Sequence, residues 1–311
     1  MYLDPTAKTS APKTTRVGPV DIAYDLRGPA EAPAILLVPG LAMSRLMWPE
    51  ELCELLVMMG FLVVRMDNRD SGQSTIMKDA RVPNVIGVMQ KTFFGLPVEV
   101  PYQLEDMAED AFGLMAALGH ERFHVVGASM GGMIAQTMAI AKPERLRTMT
   151  SIMSGPGGRR YAVGKVGALR SLLTPMPRDS AAQIEHLVET FRILNGGELP
   201  FDEAAARRYA EVHCAGGVSP AASARQLAAI LHSSNRRRAL LRNVQTPTLV
   251  VHGSGDPLLP MRGAVAMAAQ MPNAELLVVR GMGHNFPPST VPLVAGAIAS
   301  HARRSAVLAQ G

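Results

Sequence analysis

The stretch Val125-Val126-Gly127-Ala128-Ser129-Met130-Gly131-Gly132-Met133 constrains the fold more than any other part of the chain. An apolar, β-like run enters a Gly-x-Ser-x-Gly turn and leaves through small and apolar residues at 134–141 that read as a helix. So sharp a turn needs glycine on both sides, because a Cβ at either place would collide with the neighbouring strand or block the turn. Ser129, at the apex, is then held in a strained backbone conformation with its hydroxyl lifted above the sheet edge. The helix that follows points its positive end at the same spot, where negative charge on a reacting oxygen would be stabilised.

The same rhythm runs along the chain. Apolar runs at 20–27, 34–38, 61–66, 123–126, 146–153, 248–253 and 274–280 read as strands. They alternate with helix-length segments at 48–59, 102–118 and 291–303, the pattern of a mostly parallel sheet covered on both faces. From Gly155 to about Arg242 the texture changes: helical stretches at 181–194, 201–211 and 221–231 are broken by Gly and Pro, with no parallel-sheet strand among them. The expected organisation is a flexible arm at 1–16, an α/β core at 17–154 and 243–311, and a helical cap inserted at 155–242.

Composition narrows the class. With 48% apolar and 18% charged residues over 311 positions, the chain suits one large globular α/β domain and is unlike a disordered one. No apolar run reaches the roughly 18 residues of a membrane span, so a soluble protein without a membrane partner is expected. Residues 1–16 contain no hydrophobic stretch of the kind a secretory signal carries. Cys53 and Cys214 form no framework, and two reduced thiols in a cytoplasmic protein are expected. The net charge is +5, with basic runs at Arg159-Arg160, Arg207-Arg208, Arg236-Arg237-Arg238 and Arg303-Arg304. Nucleic-acid binding would need these gathered on one face with aromatic or helical readers, and they read instead as solvated faces of scattered helices.

A serine hydroxyl becomes a nucleophile when an imidazole takes its proton and an acid holds that imidazole in the right tautomer. Two strand ends supply those partners. Val250-Val251-His252-Gly253-Ser254-Gly255-Asp256-Pro257 places Asp256 in a turn, and Val278-Val279-Arg280-Gly281-Met282-Gly283-His284 places His284 in a glycine-rich loop. Both lie at carboxyl ends of parallel strands, the edge where open α/β sheets build their sites. His252 competes for the role of base but precedes its turn and reads as a structural residue at the strand end. The other histidines, at 120, 124, 186, 213, 232 and 301, fall in helices, at a strand start or in the expected cap. The loop Ser154-Gly155-Pro156-Gly157-Gly158 holds no carboxylate, which leaves the acid to Asp256. Asp67 and Asp70 read as hydrogen-bonding partners for turn amides beside the site. An oxyanion hole needs two inward-pointing N–H groups. Met130, next after Ser129, supplies one, and Leu41, after Pro39-Gly40, the other.

These motifs together resemble the α/β-hydrolase superfamily over about residues 17–303: Pro39-Gly40-Leu41, the run at 67–74, the glycine-flanked serine, the turn at 253–256 and Gly283-His284. The wording Val-Val-Gly-Ala-Ser-Met-Gly-Gly-Met-Ile-Ala-Gln with Asp-Asn-Arg-Asp-Ser-Gly-Gln-Ser is similar to bacterial hydrolases related to the aclacinomycin methylesterases. The resemblance implies the chain order nucleophile, acid, base, which Ser129, Asp256 and His284 follow. It departs at Pro39, where many members carry His, a change that leaves the amide geometry intact. Epoxide hydrolases and haloalkane dehalogenases of this fold use Asp as nucleophile. Serine favours acyl transfer from esters, lactones or thioesters, with cofactor-free haloperoxidases and C–C bond hydrolases also open.

The segment at 84–101 and the expected cap are rich in Met, Leu, Val, Ala and Phe. Trp48, Phe93, Phe94 and Leu172 are candidates to line an apolar cleft that accepts a hydrophobic acyl or alcohol group. The same residues would equally serve to glue cap to core. The reading is a serine carboxylic-ester hydrolase that forms an acyl-enzyme on a small-molecule ester, with no metal or organic cofactor, acting as a monomer or homodimer. A lactonase or methylesterase for a bulky natural product, and a ligand receptor on a hydrolase frame, are the alternatives.

Overall fold

The computed structural model describes residues 12–161, 164–216 and 219–308. Eight strands, β1 (Lys13–Val17), β2 (Val20–Arg27), β3 (Ala34–Val38), β4 (Leu62–Met66), β5 (Phe123–Ala128), β6 (Leu146–Ile152), β7 (Thr248–Gly253) and β8 (Ala274–Val279), form a single sheet in the order β1-β2-β4-β3-β5-β6-β7-β8. The two pairings that involve β2 are antiparallel, and every other neighbour pair is parallel. Every residue of β3, β4, β5 and β7 is buried, as a parallel sheet covered on both faces requires.

Among the described residues ten α-helices accompany the sheet: α1 (Glu50–Met58), α2 (Val85–Phe94), α3 (Leu104–Ala117), α4 (Met130–Ala141), α5 (Val166–Leu173), α6 (Ser180–Leu194), α7 (Glu203–Ala215), α8 (Pro220–Leu240), α9 (Met261–Gln270) and α10 (Val291–Leu308). On one face Leu104, Met107, Ile134, Met138 and Met267 of α3, α4 and α9 pack over Leu36, Val64 and Val125. On the other, Leu52 and Leu56 of α1 and Val294 and Ile298 of α10 pack over Ile35, Leu37 and Val63. Burial of that many aliphatic side chains, at about 1.5–3 kcal/mol each, is what holds the layers together. Between β6 and β7 the chain runs through α5 to α8, with a smaller cluster of its own around Leu187, Val188 and Ala210 and another in which Ala168 and Leu194 meet Leu258 from the turn after β7. Helix α8 also packs on α2, α3 and α4.

One boundary is corrected. Residues 13–16, expected in the arm, form with Val17 an edge strand paired to β2 from Val17↔Val20 to Lys13↔Tyr24 across a turn at Gly18 and Pro19. Gly18 at φ +51 suits that tight turn. Val17 anchors the strand on α3, where a Cβ on Gly113 would come within 2.2 Å of it. An exposed edge strand needs no apolar alternation, so its composition resembles an arm. Residues 1–11 lie outside the described residues.

Helix α5 falls within the expected helical cap, whereas α2 and α9 lie outside the expected helices, although Asn84 capping Gly87 N at 3.1 Å and left-handed Gly95 bound α2 with ordinary start and stop signals. Among the described residues no helix is long and apolar enough to cross a membrane. Both cysteines are free, and burial pushes the Cys53 thiol up to about 12.

Candidate active site

Strand β5 delivers Ser129 to the start of α4 at φ +54 and ψ −116, a conformation that non-glycine residues avoid. The flanking glycines explain how the chain tolerates it. A Cβ on Gly127 would sit 2.1 Å from Gly131 O, and one on Gly131 would sit 2.0 Å from Val38 O. The Ser129 amide donates to Ile152 O at 2.9 Å, and its carbonyl accepts from Ser154 Oγ at 2.8 Å and Met133 N at 3.2 Å. The Ser129 side chain makes no capping bond to α4, so its hydroxyl is free to face elsewhere.

It faces His284. Ser129 Oγ lies 2.9 Å from His284 Nε2, and His284 Nδ1 lies 2.8 Å from Asp256 Oδ2. A carboxylate only accepts, so Nδ1 carries the proton and Nε2 is left to accept from the hydroxyl. Asp256 Oδ1 accepts from the amides of Leu258 and Leu259 at 2.8 and 2.9 Å, which fixes the carboxylate plane. Burial alone would raise the Asp256 carboxyl, but the charge and hydrogen bond of His284, helped by His252 and the Leu259 amide, hold it below its ordinary value.

Glycines also dock the two loops. A Cβ on Gly253 would meet Met282 O at 1.9 Å, and one on Gly283 would meet Asn195 O at 2.3 Å. Gly255 N donates to Met282 O at 3.0 Å, Gly281 N to Ser254 Oγ at 2.8 Å, and His284 N to Leu194 O at 2.7 Å. The last bond ties the His284 loop to the end of α6.

His252 does not reach Ser129. It is fully buried, donates from Nε2 to Leu259 O at 2.8 Å, and lies 3.4 Å from Asp256 Oδ2. Burial holds its pKa below the ordinary imidazole value, which suits a neutral residue supporting the Asp256 turn.

The turn after β3 packs against the serine. A Cβ on Gly40 would be 3.4 Å from Ser129 Cβ. Ala42 takes φ +57, and its amide is consumed by Gln226 Oε1 at 2.7 Å. Gly40 N points to Met47 Sδ at 3.2 Å, and Asn68 Nδ2 donates to Pro39 O at 3.1 Å. The amides of Leu41 and Met130 find no acceptor among the described residues, as two oxyanion donors require. Asp67 accepts from the Arg45 and Gln73 amides at 2.5 and 2.9 Å, and Asp70 from Met77 N at 2.8 Å, as turn partners. Both also hold arginines, Arg45 and Arg225.

Above Ser129 and His284 opens a cavity of about 1040 Å³ lined mainly by apolar side chains of α2 and of α5 to α8. That exceeds the volume of most small-molecule sites. Trp48, Phe93 and Leu172 line it, with the Trp48 ring tilted against that of Phe286 at 5.5 Å between centroids. Phe94 does not. It is 73% exposed on the outer side of α2, because adjacent helical residues point about 100° apart and Phe93, itself 56% exposed, takes the side that borders the cavity.

Sequence reasoning missed two residues here. Gln226 was read only as part of a cap helix, and its link to the β3 turn crosses 184 positions of chain. Arg237 was read within a solvated basic run. Arg236 and Arg238 are exposed, but Arg237 is buried in the cavity wall. The helical period of α8, which separates neighbours by about 100°, is the signal that could have singled it out.

The chain belongs to the α/β-hydrolase fold family, whose pattern it matches over residues 33–288. Among its relatives are two rhodomycin D methylesterases: DauP of Streptomyces sp. strain C5, 30% identical over 90% of this chain and 93% of that one, and DnrP of Streptomyces peucetius, 30% identical over 91% and 94%. Of the solved structures, a meta-cleavage product hydrolase from Pseudomonas fluorescens IP01 superimposes with a TM-score of 0.74 at 17% identity, covering 94% of this chain and 98% of that one. At that identity the likeness concerns the fold.

Proposed function

We propose that this protein hydrolyses a carboxylic ester, most simply a methyl ester on a bulky apolar acid, through an acyl-enzyme on Ser129. The observation that carries the reading is the hydrogen-bonded chain Ser129–His284–Asp256, with spacings of 2.9 and 2.8 Å, beneath an apolar cavity. The methylesterase activity named for the two Streptomyces relatives supports the choice of leaving group.

In this scheme the Ser129 hydroxyl proton passes to His284 Nε2 as Oγ bonds to the ester carbon. The carbonyl electron pair moves onto oxygen, where the Leu41 and Met130 amides stabilise it. Asp256 steadies the imidazolium without taking its proton. Collapse expels the alkoxide, which leaves as alcohol with the proton from His284. A water molecule, deprotonated by His284, then attacks the acyl carbon, and collapse of the second intermediate returns the proton to Ser129 Oγ and releases the acid. Residues 155–242 act as the cap that shapes the acyl pocket, with Trp48, Phe93 and Leu172 in its wall.

The test is hydrolysis of p-nitrophenyl esters across acyl lengths and of aryl methyl esters, wild type beside Ser129→Ala. Loss of at least about 10³-fold in kcat is expected, since binding and the oxyanion donors alone leave only residual rate. A Ser129→Ala protein that keeps a substantial fraction of the wild-type rate would overturn the scheme.

A further inference from the structure

Arg237 occupies an unusual position for a buried cation. The other arginines buried in the fold each sit on an aspartate: Arg45 on Asp25 and Asp67, Arg65 on Asp25, Arg69 on Asp110 and Arg225 on Asp70. Arg237 is 3% exposed; the charge of Glu105 is felt there, but among the described residues no carboxylate makes an ion pair with it. Its Nε donates to Gln136 Oε1 at 3.0 Å and its Nη1 to Ser233 Oγ at 2.6 Å, both neutral acceptors. A guanidinium carries five N–H donors. Those left over find no acceptor among the described residues, while the side chain lines the cavity above Ser129. A buried charge without a countercharge is costly, and folds normally pair it.

The position is also fixed. Gly157 and Gly158 clamp the loop after β6 to α8: a Cβ on Gly157 would lie 2.1 Å from Ser234 O, and Gly158 N donates to Ser234 Oγ at 2.7 Å. Gln136, which orients the guanidinium, follows Ser129 by seven residues on α4, about 10 Å of helix. Met133, one turn from Ser129, lines the cavity between the two. Burial pushes the Arg237 pKa down to about 10, which leaves the side chain cationic at neutral pH.

We infer that Arg237 is the anchor for an ionised carboxylate on the substrate, so that the ester cleaved at Ser129 is an acidic one whose free carboxylate reaches across the same cavity to the guanidinium. This rests on the esterase reading above and narrows its substrate class. The mainly apolar wall accepts the apolar body of the molecule, with Glu50, Glu51, Asp202 and Arg208 also on the lining, and the buried guanidinium of Arg237 fixes which end faces Ser129.

The probes are monomethyl esters of α,ω-alkanedioic acids of increasing length, each beside its dimethyl ester. At the length that spans the gap, wild type should favour the half-ester by about 10-fold or more in kcat/KM, the range of one charge-assisted contact. Arg237→Met should lower kcat/KM for the half-ester at least about 10-fold more than for the diester and so abolish that preference, while Arg237→Lys keeps part of it. No preference at any length in wild type overturns the inference, as does an Arg237→Met protein that slows both esters equally. Should Arg237→Met fail to fold, calorimetric binding of the half-ester and diester to Ser129→Ala protein decides the matter without that variant. Equal affinities refute the anchor. Because that comparison needs no turnover, it stands apart from the rate loss on which the esterase reading depends.

Discussion

Replacing Gln226 by Leu tests whether a helix of the inserted segment sets the geometry of the oxyanion donors. Gln226 is fully buried on α8; its Oε1 accepts from Ala42 N at 2.7 Å and its Nε2 donates to Arg69 O at 2.8 Å. Leucine has nearly the same volume, so the change removes two hydrogen bonds and opens almost no space. Each buried main-chain group left unpaired costs about 1–3 kcal/mol, giving about 2–6 kcal/mol in all. Against a total stability of about 5–15 kcal/mol the protein should still fold, with a melting temperature lower by about 5–15 °C.

The effect on catalysis follows from the neighbouring peptide. Ala42 sits at φ +57, directly after the Leu41 amide that is to hold the oxyanion, and the Gln226 bond is what keeps that strained residue in place. Losing an oxyanion donor outright costs about 10²–10³ in kcat, so loosening one should cost about 10–100-fold. KM should change little, because the donor acts on charge that develops after binding. The assay is initial-rate kinetics on a p-nitrophenyl ester beside a thermal melt of the same preparation. A melting point that falls while kcat stays within a factor of about two would refute the coupling, since it would leave a stability role without a positioning one.

Two further perturbations probe the same frame. Gly131→Ala forces a methyl group to 2.0 Å from Val38 O, so it should abolish activity and lower yield of folded protein, read by rate and by circular dichroism. If that variant keeps wild-type turnover, the close packing of the serine turn on β3 is wrong. On pH, burial pushes His124 down to about 3, and it holds His252 and His301 below their ordinary value. A histidine whose folded pKa is depressed stabilises the fold fully above its unfolded value near 6.5, and that contribution is lost as pH falls toward the folded one. Urea unfolding should therefore weaken below about pH 6.5, by on the order of 1 kcal/mol per pH unit for each such residue, and His124→Asn should flatten the slope. An unchanged slope in that variant would remove His124 from the account.

What was legible in the sequence was the part that local chain chemistry writes. Glycine is the residue that admits the turns at 127, 131, 253 and 283, and each of them sits where a Cβ would strike a carbonyl. Those turns, read with their strands, marked Ser129, Asp256 and His284, and the structure brings the three side chains together. Strand positions were equally open to reading, because β3, β4, β5 and β7 are buried along their whole length and appear as largely apolar runs, interrupted by Arg65 in β4, His124 in β5 and Thr248 and His252 in β7. The edge strand β1 was hidden because main-chain pairing, not side-chain burial, defines it. Phe93 and Phe94 look alike in the sequence, and only the phase of α2 separates the cavity wall from solvent.

The contacts that escaped reading share one cause. Leu194 O holding His284 N, Gln226 holding Ala42 N, and Arg237 resting on Gln136 each join the segment between β6 and β7 to one corner of the site: the base, the oxyanion turn and the helix behind the serine. All three are single polar contacts made across about 90 to 180 residues of chain, and no periodicity or turn signal announces such a pairing. Their effect is that the inserted helices do more than roof the cavity. A substitution on α6 or α8 that shifts a helix by a fraction of an ångström moves a donor or a base directly, so changes made to widen the pocket should alter kcat as well as substrate preference. Residues on α5 and α2, which line the cavity through apolar side chains such as Leu172 and Phe93, lack these bonds. Leu172→Ala should therefore change the preferred acyl length with kcat on a short ester nearly unchanged. A large kcat loss on the short ester in Leu172→Ala would show that the apolar wall, too, holds the site in register.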